Sequence, residues 1–129
     1  MDAYYIVNDP NDPIAVKATE IRKQEYLFWR EVKPDLEDDF DISCHTLSAR
    51  TGLSERRTRD ITMALYRLAE LPLTKALQET YYFLDFSRLI TIDAVLSKLG
   101  DIPTEILERI DQELARYLTP TKPGQVLPS

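Results

Sequence analysis

Apolar residues along most of this chain recur three or four positions apart, and nowhere do apolar and polar residues alternate over a stretch long enough to make a convincing strand. Ile106, Ile110, Leu114 and Leu118 stand at i, i+4, i+8 and i+12, which predicts a helix from about Pro103 to Leu118. Ile14, Ala18, Ile21, Phe28 and Val32 mark an amphipathic helix from about Pro13 to Val32, with Asp12 and Pro13 suited to its first positions. A short helix is expected from about Ser43 to Arg50, and a longer one from the cap Ser54 to about Glu70, closed by Leu71-Pro72. Leu73 to Thr80 reads as helical. Phe86-Ser87 reads as the cap of a helix reaching Leu99 and Gly100, whose nearly all-apolar face predicts the most buried element. Tyr81-Tyr82-Phe83-Leu84 has the propensity of a strand but no second segment to pair with.

The expected fold is therefore all-α, with five or six helices in a single compact domain over residues 1–118 and a helix-turn-helix-like segment over about 43–70. A chain of 129 residues, 43% hydrophobic, builds one core and hardly two. Residues 119–129, with Pro120, Pro123 and Pro128, have the composition of a tail or linker leading to something beyond Ser129. No run is apolar and long enough to span a bilayer, and Met1-Asp2-Ala3-Tyr4-Tyr5 lacks the pattern of a signal peptide, so a cytoplasmic protein with no membrane partner is expected.

Three glycines cannot supply a phosphate-cradling loop, and Cys44 and His45 are the only cysteine and histidine. No cofactor and no metal are expected. Cys44 and His45 are adjacent, so on a helix they project in different directions and do not form a nucleophile and base pair. The run Asp35, Glu37, Asp38, Asp39 and Asp41 lacks the glycine and glutamate spacing of a calcium loop and reads as an exposed acidic loop.

One stretch carries a specific signal. In Leu47-Ser48-Ala49-Arg50-Thr51-Gly52-Leu53-Ser54, the small Ser48 lets two helices approach and Gly52 accepts the left-handed conformation that ends the first. Leu53 is placed to plug the corner, and Ser54 to cap the second helix. On that helix Thr58, Ile61, Leu65 and Leu68 should turn inward, leaving Glu55, Arg56, Arg59, Asp60 and Met63 outward where a recognition helix meets DNA. Charge follows the same division. The chain carries −6, yet from Cys44 to Leu68 five arginines face only Glu55 and Asp60, a net of +3 within a remainder of −9. Arg56 and Arg59 are the candidate DNA-reading residues, with Arg50, Arg57 and Arg67 as phosphate contacts.

From about Leu47 onward the sequence resembles an actinobacterial helical domain family of unknown function that stands upstream of HNH endonuclease modules. The matching features are the segment around Gly52-Leu53-Ser54, the long helix ending in Arg67-Leu68-Ala69-Glu70-Leu71-Pro72-Leu73-Thr74-Lys75-Ala76-Leu77, the spacing to Arg88-Leu89-Ile90-Thr91-Ile92-Asp93, and Asp101-Ile102-Pro103-Thr104-Glu105-Ile106 before the last helix. The resemblance implies an accessory domain of a nuclease-type protein. The nuclease chemistry itself does not carry over, because an HNH site needs two histidines, or a histidine and an asparagine, around one metal. This chain has His45 alone and no asparagine beyond Asn11.

Two functions follow from the residues. The first is a non-catalytic module that binds duplex DNA through its arginines. The second is a protein interaction or homodimerisation module, in which exposed apolar and aromatic residues dock a partner. An aromatic run of Tyr81, Tyr82, Phe83 and Phe86, with Tyr26 and Trp29, suits core packing better than base stacking, since few basic residues flank it. The two functions separate on whether the arginines form one open face or the acidic loop folds over them.

Overall fold

The computed structural model describes residues 4–7, 11–34, 39–82, 84–118 and 125–128, and the side chains of all but the first and last of these segments. Among the described residues are six helices and one two-stranded ribbon: β1 (Tyr4–Val7), α1 (Pro13–Val32), α2 (Phe40–Thr51), α3 (Glu55–Ala69), α4 (Pro72–Tyr81), α5 (Phe86–Ser97), α6 (Thr104–Leu118) and β2 (Gln125–Pro128). The fold is all-α, as the apolar spacing predicts. The ribbon corrects the expectation that no strand forms: β1 and β2 pair antiparallel, Tyr4 opposite Pro128 and Val7 opposite Gln125. Each strand finds its partner at the other end of the chain, which local pattern does not reveal. The tail expected over 119–129 otherwise lies outside the described residues.

α3 is the hub. It buries Thr58, Ile61, Thr62, Ala64, Leu65 and Leu68, and packs against α1, α2, α4 and α5. The two buried threonines are tolerated because each hydroxyl donates to the carbonyl four residues back, Thr58 to Ser54 at 3.0 Å and Thr62 to Thr58 at 2.9 Å. The core joins Tyr26 and Trp29 of α1, the inner face of α3, Leu84, Phe86 and Leu89 of α5, and Leu118 of α6 in one cluster, with Leu47 of α2 and Leu77 of α4 packed on its margin.

Two expectations about burial are overturned. α5 is not the most buried helix, since Val95 is exposed and Leu99, just past its end, is too; only Phe86, Leu89 and Leu96 reach the interior. In α1 the expected apolar stripe is displaced, because Ile14 and Ile21 are 79% and 67% exposed while Tyr26 and Trp29 are buried. The aromatic face wins the core because its side chains bury more apolar area than the aliphatic ones.

Helix ends follow local chemistry. Asp12 caps α1 by accepting from the Ile14 and Ala15 amides, and Asp85, rather than Phe86 or Ser87, caps α5 by accepting from the Arg88 amide at 2.9 Å. α2 begins at Phe40, earlier than Ser43, because Asp41 of the acidic run enters its first turn, where a carboxylate complements the positive helix end. The described residues of the aromatic run form no strand: Tyr81 ends α4 and Tyr82 takes a left-handed conformation at φ 51°; Phe83 lies outside the described residues. Gln78 ties α4 to Leu84, ahead of α5: its buried amide donates to the Leu84 carbonyl and accepts from the Leu84 amide, both at 2.9 Å.

α1 is fastened to α4 by a charged cluster. Glu79 accepts from the Tyr26 hydroxyl at 3.1 Å and from Arg30 at 2.5 Å. Burial and the adjacent carboxylate push the Tyr26 phenol above its ordinary range; burial would also raise Glu79, but hydrogen bonds from Arg30 and Tyr26 outweigh it and hold the carboxyl low.

α4 lacks a cap of its own at Leu71, and α6 supplies one. The buried Asp111 carboxylate accepts from the Leu73 amide at 2.9 Å, the Thr74 amide at 2.9 Å and the Thr74 hydroxyl at 2.7 Å. Asp111→Ala is expected to cost about 3 kcal/mol in urea unfolding, because it leaves three donors unpaired at a buried helix end.

Candidate nucleic-acid interface

The helix-turn-helix segment forms as its residues dictate. Gly52 stops α2 with φ 78°, and its amide donates to the Ser48 carbonyl at 3.0 Å. Ser54 then starts α3, its hydroxyl accepting from the Arg57 amide at 3.0 Å. The Ser48 hydroxyl donates to the Leu53 carbonyl, tying the two ends of the turn together. Ser48 thus does more than allow close approach. Leu53 does not plug the corner, since its side chain is exposed; Cys44 of α2 is fully buried. Burial raises the Cys44 thiol above its ordinary value despite nearby Arg59. Across the corner His45 pairs through Nδ1 with Glu55 at the start of α3.

Thr58, Ile61, Leu65 and Leu68 face inward and Glu55, Arg56 and Met63 outward, as the spacing predicts; Asp60 is half-buried. The five arginines divide. Arg50, in the last turn of α2, and Arg56, in the first turn of α3, are exposed, and Arg57 beside them is half-buried. Among the described residues none of these three has an ion pair.

Arg59 is held. Its guanidinium pairs with Asp41 at 2.7 Å and lies over the Phe40 ring at 5.4 Å from the centroid. The hydrogen bond that Arg59 donates to Asp41, together with that residue's charge, raises the Arg59 pKa further above an already high value. Part of the acidic run therefore reaches the arginine face. Arg67 is also withdrawn: it donates from Nε to Asp93 of α5 at 3.0 Å and from Nη1 to Glu70 at 2.9 Å, with its side chain only 19% exposed. It stands about 16 Å along the helix from Arg56, at 1.5 Å per residue. Arg67 joins α3 to α5.

No family model, curated protein or solved structure matches this chain at a significant level. The assignment of roles therefore rests on the residues themselves. Among the described residues no three His, Cys, Asp or Glu side chains converge as a metal site requires, and no helix is long and apolar enough to cross a membrane. Asp93 was missed as a partner, because its pair with Arg67 closes over 26 residues that no local pattern reports; Asp41 belongs to the acidic run whose approach to the arginines the sequence left open, and it reaches Arg59.

Arg67→Ala should cost about 2 kcal/mol in thermal or urea unfolding, since it leaves the half-buried Asp93 carboxylate with only the long hydrogen bond from Ser97, at 3.4 Å. Arg56→Ala should stay within about 0.5 kcal/mol of the parent. Equal losses in the two variants would contradict this division of the arginines.

Proposed function

We propose that this chain is a non-catalytic helical module that contacts duplex DNA through the end of α2 and the start of α3, with Arg50, Arg56 and Arg57 meeting phosphates and base edges. The observation that carries the reading is the capped corner at Gly52-Leu53-Ser54, which gathers these three arginines, without internal ion pairs among the described residues, beside the N-terminal turn of α3. The resemblance of Leu47 onward to the helical domain that precedes HNH modules supports the setting: an accessory domain of a nuclease-type protein, with the chemistry supplied elsewhere.

Arg59 is a reserve contact in this reading. A phosphate arriving at α3 competes with Asp41 for its guanidinium, so the acidic residue weakens non-specific binding and sharpens the requirement for a good fit. The negative charge of the whole chain acts in the same direction. A protein-interaction function is the second reading, favoured by the internal pairing of Arg59 and Arg67, which removes two of five cations from the face.

Fluorescence anisotropy of labelled duplex DNA, titrated at low and near-physiological salt, tests the first reading. Salt-sensitive binding is expected, with a log–log slope of about −3 for roughly three neutralised phosphates. The combined Arg50→Ala, Arg56→Ala and Arg57→Ala variant should lose this binding while keeping its unfolding midpoint. Asp41→Asn, measured alongside, should tighten binding and steepen the slope by about one by releasing Arg59. No binding at low salt would remove DNA contact as the function.

A further inference from the structure

The inner edge of α6 is fully used. Asp111 caps α4, and Leu118 enters the core. Beside that edge runs a second apolar stripe: Ile106 and Tyr117 are exposed, at 44% and 63%, and Ile110 and Leu114 lie half-buried between them. With Arg109 and Glu113 these residues line a trough of about 500 Å³, to which α6 alone contributes among the described residues, a surface for another helix rather than a cavity for a small ligand. No other described residue lines it.

The stripe has the symmetry of a helix that pairs with itself. Ile106 and Tyr117 are centred between Asp111 and Gln112, Ile110 and Leu114 are centred on Gln112, and Arg109 and Glu113 are centred on Asp111. In a two-fold antiparallel pair, residues equidistant from the axis meet, and each helix edge faces the same edge of its copy. Arg109 and Glu113 share one edge at helical spacing. The three centres lie within one residue of each other, so a pairing with its axis between Asp111 and Gln112 sets Ile106 opposite the partner's Tyr117 and, offset by half a residue from the axis, Ile110 beside the partner's Leu114 and Arg109 beside the partner's Glu113, each contact occurring twice.

The charges fit this use. Glu113 already lies 2.5 Å from Arg116 of its own helix, whereas Arg109 has no ion pair among the described residues and gains one in the pair. The exposed stripe of α1 lacks such symmetry: Ile14, Ile21 and Phe28 are centred on Ile21, but the opposite charges on their edge, Lys17 and Glu31, are centred on Gln24.

We propose that the chain forms a two-fold homodimer through antiparallel pairing of α6 with α6 of a second copy. The helix is roughly 22 Å long at 1.5 Å per residue, so the contact is small and the dimer dissociates on dilution. This pairing does not depend on the DNA reading.

Sedimentation equilibrium of the full chain, from about 5 μM to about 500 μM, tests the proposal. The mass should rise from 15.0 kDa toward twice that value. Ile106→Asp should weaken association at least about tenfold, and circular dichroism should show the helices intact, because the site is exposed and an acid near a helix N-terminus is favourable. Arg109→Glu and Glu113→Arg should each weaken it about threefold, and the two together should restore it, since the reversed charges meet again in the antiparallel register. A monomer throughout the range, a dimer indifferent to Ile106→Asp, or no recovery in the double variant would each overturn the proposal.

Discussion

Burial of the inner face of α3 is the constraint on which the rest of the structure depends. Ile61, Leu65 and Leu68 belong to the core cluster, and α1, α2, α4 and α5 all pack on this helix. Burying large aliphatic side chains gains roughly 1.5–3 kcal/mol each, more than the cap or ion pair at any one helix end contributes. Fixing the inner face also fixes the outer one. Once Thr58, Ile61 and Leu65 point into the core, Arg56 must point out, and the position of the candidate interface is settled by packing on the opposite side.

Around this hub, polar groups lock elements that apolar burial alone leaves free to slide. Asp111 sets α6 against the start of α4, Glu79 ties α4 to α1, and Arg67 joins α3 to α5. Each is buried or half-buried and has several partners, which gives it directional force that an exposed pair lacks. Arg67 shows how stability and function draw on one residue type. Its charge, which reads in sequence as a phosphate contact, is consumed by Asp93 and Glu70.

The outer surface is a balance of charge. Three arginines near the helix-turn-helix corner are without internal ion pairs among the described residues, while Asp41 holds a fourth, and the whole chain is acidic. Any anion that approaches Arg59 competes with an internal carboxylate for it.

Much of this was legible in the chain itself. Helix number and type, the Gly52 stop, the Ser54 cap and the inward set on α3 follow from spacing and from the conformational needs of single residues, which act over at most four positions. The sequence could not decide which of two apolar faces α1 buries, nor that α5 is only half covered, because a helix with competing stripes is resolved by the shape of what it meets. The same holds for the arginines. Arg56 and Arg67 look alike in a linear reading, and only the approach of Asp93, 26 residues beyond Arg67, distinguishes a structural tie from a free charge. Local conformation was determined by the sequence because its causes are neighbours along the chain; partner choice was decided by the tertiary structure because its causes are neighbours only in space.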